Sequence, residues 1–403
     1  MMIGRIFKYA SLLMAAVMLF SCQGQQGDET NGTDIPNGGG NITGKIALTV
    51  DKMLIQADGA DYATLTVTLD GKAVTEGVTF FDGKNNILDL AGFRFSTETP
   101  GNYEIWANYG TYNTDKVLIR ALAAEIPQTP ADPKPSSVDF KSRVMCMQFT
   151  GTACGYCSQF MSRLKDAFED EAFADEYVRA AIHSYSYSAA YPDPAYITWN
   201  WSDRVLSATH PSIVMDYINK YALYSSTSSE EFKGVVRDMN ASKEDVASGI
   251  AVSSSMKDGQ IVAKVTVKAA EAAVYRVGAM LLEDGITASQ INGEPWMSNH
   301  DACVRYIDAR EDSANGTERW YGFSLGNIEK GKTADYLFVW NLDEIWNEVN
   351  VPIKYWDSFV EENLRLAVFV TTTAEDERGS QFLYINNAVY ADVNGETPFE
   401  YKN

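Results

Sequence analysis

Short runs in which apolar and polar residues alternate occupy both ends of this chain. Toward the N-terminus the alternating runs cover 46–50, 63–69 and 78–81, and Asp-Gly pairs separate them. Alternation of period two predicts half-buried strands, and strands at this spacing are typical of an antiparallel β-sandwich. We therefore predict a β-sandwich domain over 45–122.

The same alternation returns after residue 244. It predicts a second, C-terminal β-sandwich over 244–403, with a longer irregular stretch from 285 to 322. The alternating runs lie at 250–254, 261–267, 275–282, 336–340, 364–371 and 382–390.

Between these two regions, strand-like and helix-like patterns follow one another. This order predicts an α/β domain over 139–243. The predicted elements are a strand at 144–149, a helix at 158–173, a strand at 177–183, a helical stretch at 194–208, a strand directly after Pro211 and a helix at 230–239.

The first 44 residues carry targeting signals rather than a core. Basic residues precede an apolar run at 9–20 that is too short to span a bilayer, so we predict that 1–21 is an export signal. The run ends in Leu-Phe-Ser-Cys, which resembles a bacterial lipobox and implies cleavage before Cys22 and lipidation of its thiol. An ordinary secretory signal with a chance cysteine is the alternative. The polar stretch 22–44 is predicted to be a flexible tether.

A second connection contains four prolines between 123 and 138. Proline at this density opposes both helix and sheet, which predicts a semi-rigid linker.

The lipid anchor on Cys22 makes the membrane a predicted partner, and the expected location is the outer membrane, on the periplasmic or the cell-surface side.

Composition narrows the possible functions. The chain has 403 residues and a formal net charge of −21, so phosphate backbones would repel it and no nucleic-acid partner is expected. Five cysteines are too few and too scattered for a disulfide framework. The chain has three histidines, so we expect no metal centre, and no motif calls for a cofactor.

The chemistry that the sequence does indicate lies at Cys154 and Cys157. A strand followed by a helix whose first turn carries Cys-x-x-Cys is a thioredoxin-like arrangement. The helix N-terminus would favour a thiolate on an exposed Cys154, with Cys157 as the inner, resolving thiol. In thioredoxin-like folds a proline that opens the third strand faces the pair, and the resemblance implies this position for Pro211. A static disulfide is the alternative, because the likely proton acceptor on the preceding strand is Gln148, whose amide takes no proton.

A group of aromatic side chains precedes the strand that Pro211 opens. With His210, they form a candidate surface for a protein, peptide or glycan ligand, although packing against the sheet is an equally simple role for some of them. The aromatic candidates are Tyr187, Tyr191, Trp199 and Trp201.

The stretch Phe149-Thr150-Gly151-Thr152-Ala153-Cys154, followed by Cys157 and the Pro211 strand, resembles the Omp-twenty-eight-related outer membrane lipoproteins of Bacteroidetes. The resemblance runs from about residue 140 to the end, and members are described as surface antigens or receptors. The segment 100–107, with Tyr103, resembles the tyrosine corner of immunoglobulin-like modules.

These patterns together predict a multidomain protein with an N-terminal immunoglobulin-like β-sandwich, a central α/β thioredoxin-like domain and a C-terminal β-sandwich. The first functional hypothesis is a lipid-anchored binding or adhesion scaffold of the cell envelope. The rival hypothesis is an envelope thiol–disulfide oxidoreductase or isomerase that uses Cys154 and Cys157.

Overall fold

A computed structural model describes residues 45–185, 188–197, 209–309, 311–312, 318–319, 321–348, 359–375 and 378–402. The described residues fall into two compact units, one of 45–125 and one from 126 onward. The described part is rich in β-sheet and has few helices, as the alternating patterns predict. Signal, anchor and tether, including Cys22, lie outside the described residues.

The unit of 45–125 contains two antiparallel-rich sheets around one core. One sheet has the order β1-β3-β4 with β7 beside β3, and the other has the order β2-β10-β8-β5-β6 with β9 beside β8. The strands are β1 (Ile46–Val50), β2 (Leu54–Gln56), β3 (Ala63–Leu69), β4 (Lys72–Val74), β5 (Val78–Asp82), β6 (Ile87–Leu88), β7 (Arg94–Phe95), β8 (Gly101–Tyr109), β9 (Tyr112–Asn113) and β10 (Val117–Leu122).

Alternate residues of these strands face inward, which explains why the period-two pattern identified them. Leu65 and Val67 of β3 and Ile105 of β8 are all buried in the same cluster. The hydroxyl of Tyr103 donates to the carbonyl oxygen of Thr99 at 2.7 Å. This bond back to the preceding turn is the contact that a tyrosine corner makes.

In the described residues, the second unit begins with a β-α-β-β-β-α succession and continues mostly as β-strands. The first elements are β11 (Val144–Thr150), α1 (Gly155–Phe168), β12 (Tyr177–His183), β13 (Ser212–Met215), β14 (Ile218–Tyr224) and α2 (Ser229–Lys243). The later elements are β15 (Gly249–Lys257), β16 (Gln260–Lys268), β17 (Ala273–Glu283), β18 (Ile286–Thr287), β19 (Asn299–His300), β20 (Cys303–Asp308), β21 (Glu311–Asp312), β22 (Glu318–Arg319), β23 (Phe323–Ile328), β24 (Thr333–Asn341), α3 (Leu342–Glu348), β25 (Leu364–Glu375), β26 (Gln381–Asp392) and β27 (Glu396–Thr397).

One long sheet passes through this second unit. Its order is β14-β13-β11-β12-β20-β17-β25-β26, with β23 beside β17, and a second sheet has the order β24-β16-β15-β27. Strand β11 runs parallel to β12 and antiparallel to β13. Strand β12 joins β20 in parallel through Ala181 and Cys303. The segments 139–243 and 244–403, predicted to be separate domains, therefore contribute strands to one sheet.

The two faces of β11 pack against different layers, so the whole strand is buried. Val144 and Cys146 face a cluster formed with α1 and α2. Met145, Met147 and Phe149 face a larger cluster that includes β15, β16 and β17. An apolar strand with no alternation is what burial on both faces requires.

The proline-rich connection makes specific contacts from Thr129 onward, the first being a hydrogen bond of 2.9 Å between the hydroxyls of Thr129 and Thr266. The buried Lys268 amine donates to the carboxylate of Asp132 and to the carbonyl oxygen of Pro135, both at 2.8 Å. The hydroxyl of Tyr401 donates to the same carboxylate at 2.7 Å. These bonds fix 129–135 against strand β16 and the C-terminal end of the chain.

Two predicted helices differ from the structure. The helix predicted at 158–173 runs over Gly155–Phe168, because Cys154 caps its start in an extended conformation and Asp170 turns the chain after its end. The helical stretch predicted from residue 194 is wrong for 194–197, where Tyr196 instead forms a parallel bridge with His183. Residues 198–208 lie outside the described part of the chain.

Among the helices of the described segments, none combines the length and the apolar character that crossing a membrane requires.

Candidate functional site at the cysteine loop

The candidate site lies where β11 passes into α1. Strand β11 ends at Thr150, residues 151–153 turn, and Cys154 is the N-cap of α1 with φ −87° and ψ 101°. The turn closes through a bond from the Cys154 amide to the Gly151 carbonyl at 3.0 Å. A Cβ at Gly151 would lie 2.7 Å from the Cβ of Tyr185, so the close approach of these segments requires glycine there.

Cys154 and Cys157 form a disulfide across the first turn of the helix, with their Cα atoms 5.2 Å apart. This Cα separation lies within the usual range for a disulfide. The amides of the first helical turn have no partners within the helix and give this end a partial positive charge. The two cysteines are therefore joined at the place that the sequence predicts, at a helix N-terminus.

Both cysteines are buried, which corrects the prediction of an exposed Cys154. Cys154 is 2 % exposed and Cys157 is 1 % exposed. A segment between β18 and β19 covers the loop. Gln290 Nε2 donates to the carbonyl oxygens of Gly151 and Cys154, at 3.2 and 3.1 Å. The amide of Ile291 donates to the carbonyl oxygen of Thr152 at 2.9 Å. We call residues 290–292 the cap.

The face of β11 that lies under α1 offers no acid to the disulfide. Gln148 is buried there, on the same strand face as Cys146, and its carbonyl oxygen has no hydrogen-bond partner among the described residues. Burial, helped by the Asp216 carboxylate, raises the pKa of the Cys146 thiol well above its ordinary value. Cys146 is therefore a neutral core thiol, and Gln148 cannot take a proton from Cys157.

Pro211 follows a cis peptide bond from His210 and precedes β13. The first residue of that strand, Ser212, pairs with Phe149 of β11, so Pro211 lies beside the strand end that leads into the cysteine loop. Ser184 and the Nε2 of His210 are hydrogen-bonded at 2.9 Å. The structure thus brings Pro211 and His210 to the same end of the sheet as the disulfide.

The aromatic candidates are only partly described. Tyr187, Trp199 and Trp201 lie outside the described residues. Tyr191 is half-buried, and its backbone carbonyl accepts a bond from the Thr152 hydroxyl at 2.9 Å. Tyr191 therefore reaches the cysteine loop through its backbone.

Sequence reasoning missed two residues at this site. Tyr156 lies between the cysteines and is 68 % exposed, and its position within the Cys-x-x-Cys motif is the signal that could have identified it. Gln290 is 136 residues from Cys154 in the chain, and no local pattern marks it. Across the described segments, no group of three or more His, Cys, Asp or Glu side chains has the arrangement of a metal site.

The chain is similar to solved structures at low sequence identity. No protein-family profile matches the chain, and no curated protein sequence matches it either. Among solved structures, the chain is similar to HBP35 of Porphyromonas gingivalis, with a TM-score of 0.45 and 16 % sequence identity. The match covers 65 % of this chain and 78 % of that chain.

Proposed function

We propose that this chain is a lipid-anchored binding scaffold of the cell envelope, of the Omp-twenty-eight-related type. In this proposal residues from β11 to α2 form a thioredoxin-like region whose disulfide is structural. The support for the fold is the β-α-β-β-β-α order, the Cys-x-x-Cys pair at the start of α1, and Pro211 at the start of β13. The anchor on Cys22 and the outer membrane location rest on the sequence.

The observation that carries the proposal is the burial of the disulfide. Exchange requires a substrate thiolate to approach one sulfur along the bond, and both cysteines are covered. Three hydrogen bonds from Gln290 and Ile291 hold the cap on the loop. With Gln148 in place of an acid, the site also lacks the usual group that moves a proton to or from the inner cysteine.

A binding role uses the exposed surface around the loop. Tyr156 presents a large aromatic ring to solvent at the first turn of α1. Aromatic side chains of this kind supply contact area and one hydrogen-bonding group at low cost in conformational entropy. With Tyr187, Tyr191, Trp199 and Trp201 as further candidates, the expected ligand is a protein, a peptide or a glycan.

Thiol–disulfide exchange is the second candidate, and one observation favours it. Cys154 is the N-cap of α1, where the helix would stabilise its thiolate once the disulfide is reduced. An exchange enzyme of this type would have to displace the cap before each reaction. Cys154 would then attack a substrate disulfide, and Cys157 would resolve the mixed disulfide.

The reduction potential of the Cys154–Cys157 pair separates the two candidates. We expect a value below about −300 mV, as for structural disulfides, when the full chain is equilibrated in thiol redox buffers. A value between about −270 and −120 mV, the range of known exchange proteins, would favour the oxidoreductase. The companion test is Cys157→Ser, which keeps the attacking thiol and removes the resolving one. Covalent partner complexes recovered from that variant would contradict the scaffold proposal.

A further inference from the structure

A thiol, an imidazole and a carboxylate lie in one buried row of the second unit, next to the cysteine loop. The Sγ of Cys303 is 3.6 Å from Nε2 of His183. The Nδ1 of the same ring is 3.0 Å from both carboxylate oxygens of Asp193. This is the order of groups in a nucleophile that a base activates and a third residue orients.

Three separate segments contribute to this row, and the fold fixes each one. His183 is the last residue of β12, and Cys303 is the first residue of β20, which joins β12 in parallel. Asp193 accepts bonds from the amides of Thr152 and Ala195, at 2.9 and 3.1 Å. The carboxylate is therefore held in place whether or not the imidazole is present.

The charges around His183 favour its protonated form. Burial by itself would lower the pKa of His183, but the Asp193 carboxylate and Cys303 outweigh burial and raise the pKa above its ordinary value. The ring centroids of His300 and His183 are 5.2 Å apart. Burial and the charge on His183 lower the pKa of His300 to about 4, so His300 is neutral. With both ring nitrogens of His183 protonated, Nε2 directs a proton toward the sulfur of Cys303.

The other charged groups near the row are already paired. Arg305 is two residues along β20 from Cys303, lies 3.1 Å from the buried Glu283 carboxylate, and donates to the carbonyl oxygen of Pro194 at 2.7 Å. Arg179 donates to the carbonyl oxygen of Asp301. The carboxylate that contacts His183 is therefore that of Asp193.

We propose that Cys303, His183 and Asp193 form a second thiol site that reacts with small uncharged hydroperoxides, of which hydrogen peroxide is the simplest. Nε2 of His183 takes the thiol proton of Cys303, and the resulting thiolate attacks one oxygen of hydrogen peroxide. An S–O bond forms, the O–O bond breaks, and hydroxide leaves. His183 gives its Nε2 proton to that hydroxide, which becomes water, and the sulfur is oxidised by two electrons to a sulfenic acid.

The burial of the site determines the size and charge of its substrate. Cys303 is 0 % exposed, so a protein disulfide or a bulky thiol reagent cannot reach its sulfur. A molecule of a few atoms can enter through local opening of the fold, and an uncharged one pays little to leave water. The protonated imidazole at 3.6 Å from the sulfur supplies what such an oxidant needs, a proton for its leaving group.

Cys146 provides a matched control within the same chain. It is also a free thiol and also 0 % exposed. The charged group that acts on it most is the Asp216 carboxylate, which raises its pKa further. The two thiols are therefore equally buried but have opposite charges beside them: the His183 imidazolium lies beside Cys303, and the Asp216 carboxylate acts on Cys146.

The experiment treats the folded full chain, with its Cys154–Cys157 disulfide intact, with hydrogen peroxide at pH 7. Catalase stops the reaction, and the chain is unfolded in guanidinium with dimedone and iodoacetamide present. Mass spectrometry of the peptides then gives the rate at which each free thiol becomes sulfenic acid. We expect Cys303 to react at least about tenfold faster than Cys146, because an imidazole base lies 3.6 Å from the Cys303 sulfur, whereas the Cys146 thiol donates to the carbonyl oxygen of Val144. Equal rates would overturn the proposal.

Two variants separate activation by His183 from access alone. Asp193→Asn removes the charge that holds the imidazole protonated, and His183→Gln removes the imidazole itself. In both variants we expect the Cys303 rate to fall to that of Cys146. A Cys303 rate that stays at the wild-type value in either variant would overturn the proposal. The Cys146 rate shows whether a variant has unfolded, and in that case the comparison within the wild-type chain decides.

Discussion

The amide nitrogen of Gln290 lies 3.1 Å from the carbonyl oxygen of Cys154, and the two residues are 136 positions apart in the chain. Gln290 makes no bond to either sulfur and instead holds the backbone of the cysteine loop. The cap can therefore be weakened without changing the disulfide or the helix that carries it. This separation makes the role of the cap testable.

Gln290→Ala removes both bonds that the side chain makes to the loop. Each bond contributes about 0.5–1.5 kcal/mol net, so local opening of the cap should become roughly tenfold more frequent. We expect dithiothreitol to reduce the Cys154–Cys157 disulfide about tenfold faster in this variant. Alkylation of the released thiols after an acid quench measures the rate.

Gln260→Ala is the matched control for this prediction. Gln260 is also a buried glutamine, on β16, and it donates to the side chain of Asn341 rather than to the cysteine loop. Its loss should leave the reduction rate unchanged. Equal rates for Gln290→Ala and the wild type would show that the cap does not control access to the disulfide.

Gln148 gives a second prediction, because its carbonyl oxygen is buried and unpartnered within the described structure. In Gln148→Glu, burial should raise the carboxyl pKa above the unfolded value of about 4.3. An acid whose pKa is raised in the folded state binds more protons there, so stability should fall as pH rises above about 4.3. Urea unfolding at pH 4 and pH 8 measures this difference.

The control is Gln148→Met, which has a similar volume and no titratable group. Its stability relative to the wild type should be the same at both pH values. If the loss in Gln148→Glu were also independent of pH, then the new carboxylate would be solvated, and the description of Gln148 as a buried side chain would be wrong.

The sequence predicted individual elements of this fold well, because local periodicity carries that information. Strand β12 was predicted at 177–183 and β3 at 63–69, the bounds that the structure has. The predicted bounds of helix α1, 158–173, lie three residues beyond its observed start and five beyond its observed end. The apolar pattern continues through Phe173, which is buried although it lies beyond the helix, so periodicity could not locate the turn at Asp170.

The surroundings of the site were not predictable, because they come from distant segments. The exposure of Cys154 depends on Gln290, and the row at Cys303 depends on pairing between β12 and β20. Neither contact leaves a periodic signal near the cysteines. The proline-rich segment shows the same limit. Asp132 accepts a bond from the Lys134 amide within the segment, but its side-chain partners, Lys268 and Tyr401, lie 136 and 269 residues away in the chain.

A buried ion pair supports the junction of β11, β13 and α2. The amine of Lys243 is 2.7 Å from the Asp216 carboxylate and donates to the carbonyl oxygen of Arg143 at 2.8 Å. Lys243→Met would leave the carboxylate buried without its partner, and we expect a loss of about 3–5 kcal/mol in the free energy of unfolding. Urea denaturation measures this loss.

Lys165→Met tests whether any lysine would have this effect. Lys165 forms an exposed pair with Glu169 on helix α1, and solvent screens such a pair. Its replacement should change the stability little. Losses of similar size in the free energy of unfolding of the two variants would mean that burial does not make the Lys243 pair more important for stability than an exposed pair.

The anchor prediction rests on the sequence Leu19-Phe20-Ser21-Cys22. Cys22→Ala removes the thiol that would carry the lipid, so the mature protein should move from the membrane pellet to the soluble fraction. Cys303→Ala, which changes a cysteine far from the signal, should remain in the pellet. Retention of Cys22→Ala in washed membranes would contradict the lipoprotein assignment.

The last prediction concerns the pH dependence of the His183–Asp193 pair. Burial opposes the charge on both groups, but each partner outweighs it. The Asp193 carboxylate raises the folded pKa of His183, and the His183 charge lowers the folded pKa of Asp193. The contribution of His183 should be complete below its unfolded pKa of about 6.5 and should decline as pH rises through its folded pKa. The contribution of Asp193 should be complete above about 3.9, its unfolded pKa. The pair should therefore stabilise the fold most between about pH 4 and 6.5.

Urea unfolding of the wild type and of His183→Gln at pH 5.5 and 9.5 tests this window. We expect the difference in stability to be larger at pH 5.5, because above about pH 6.5 the unfolded imidazole is neutral and folding must take up a proton to form the charged pair. Thr371→Val is the non-titrating control, since it removes a buried hydroxyl that donates to the carbonyl oxygen of Tyr321. Its cost should be the same at both pH values. A His183→Gln difference that is equal at both pH values, or larger at pH 9.5, would mean that His183 is neutral in the folded protein and gives no proton to a leaving group at Cys303.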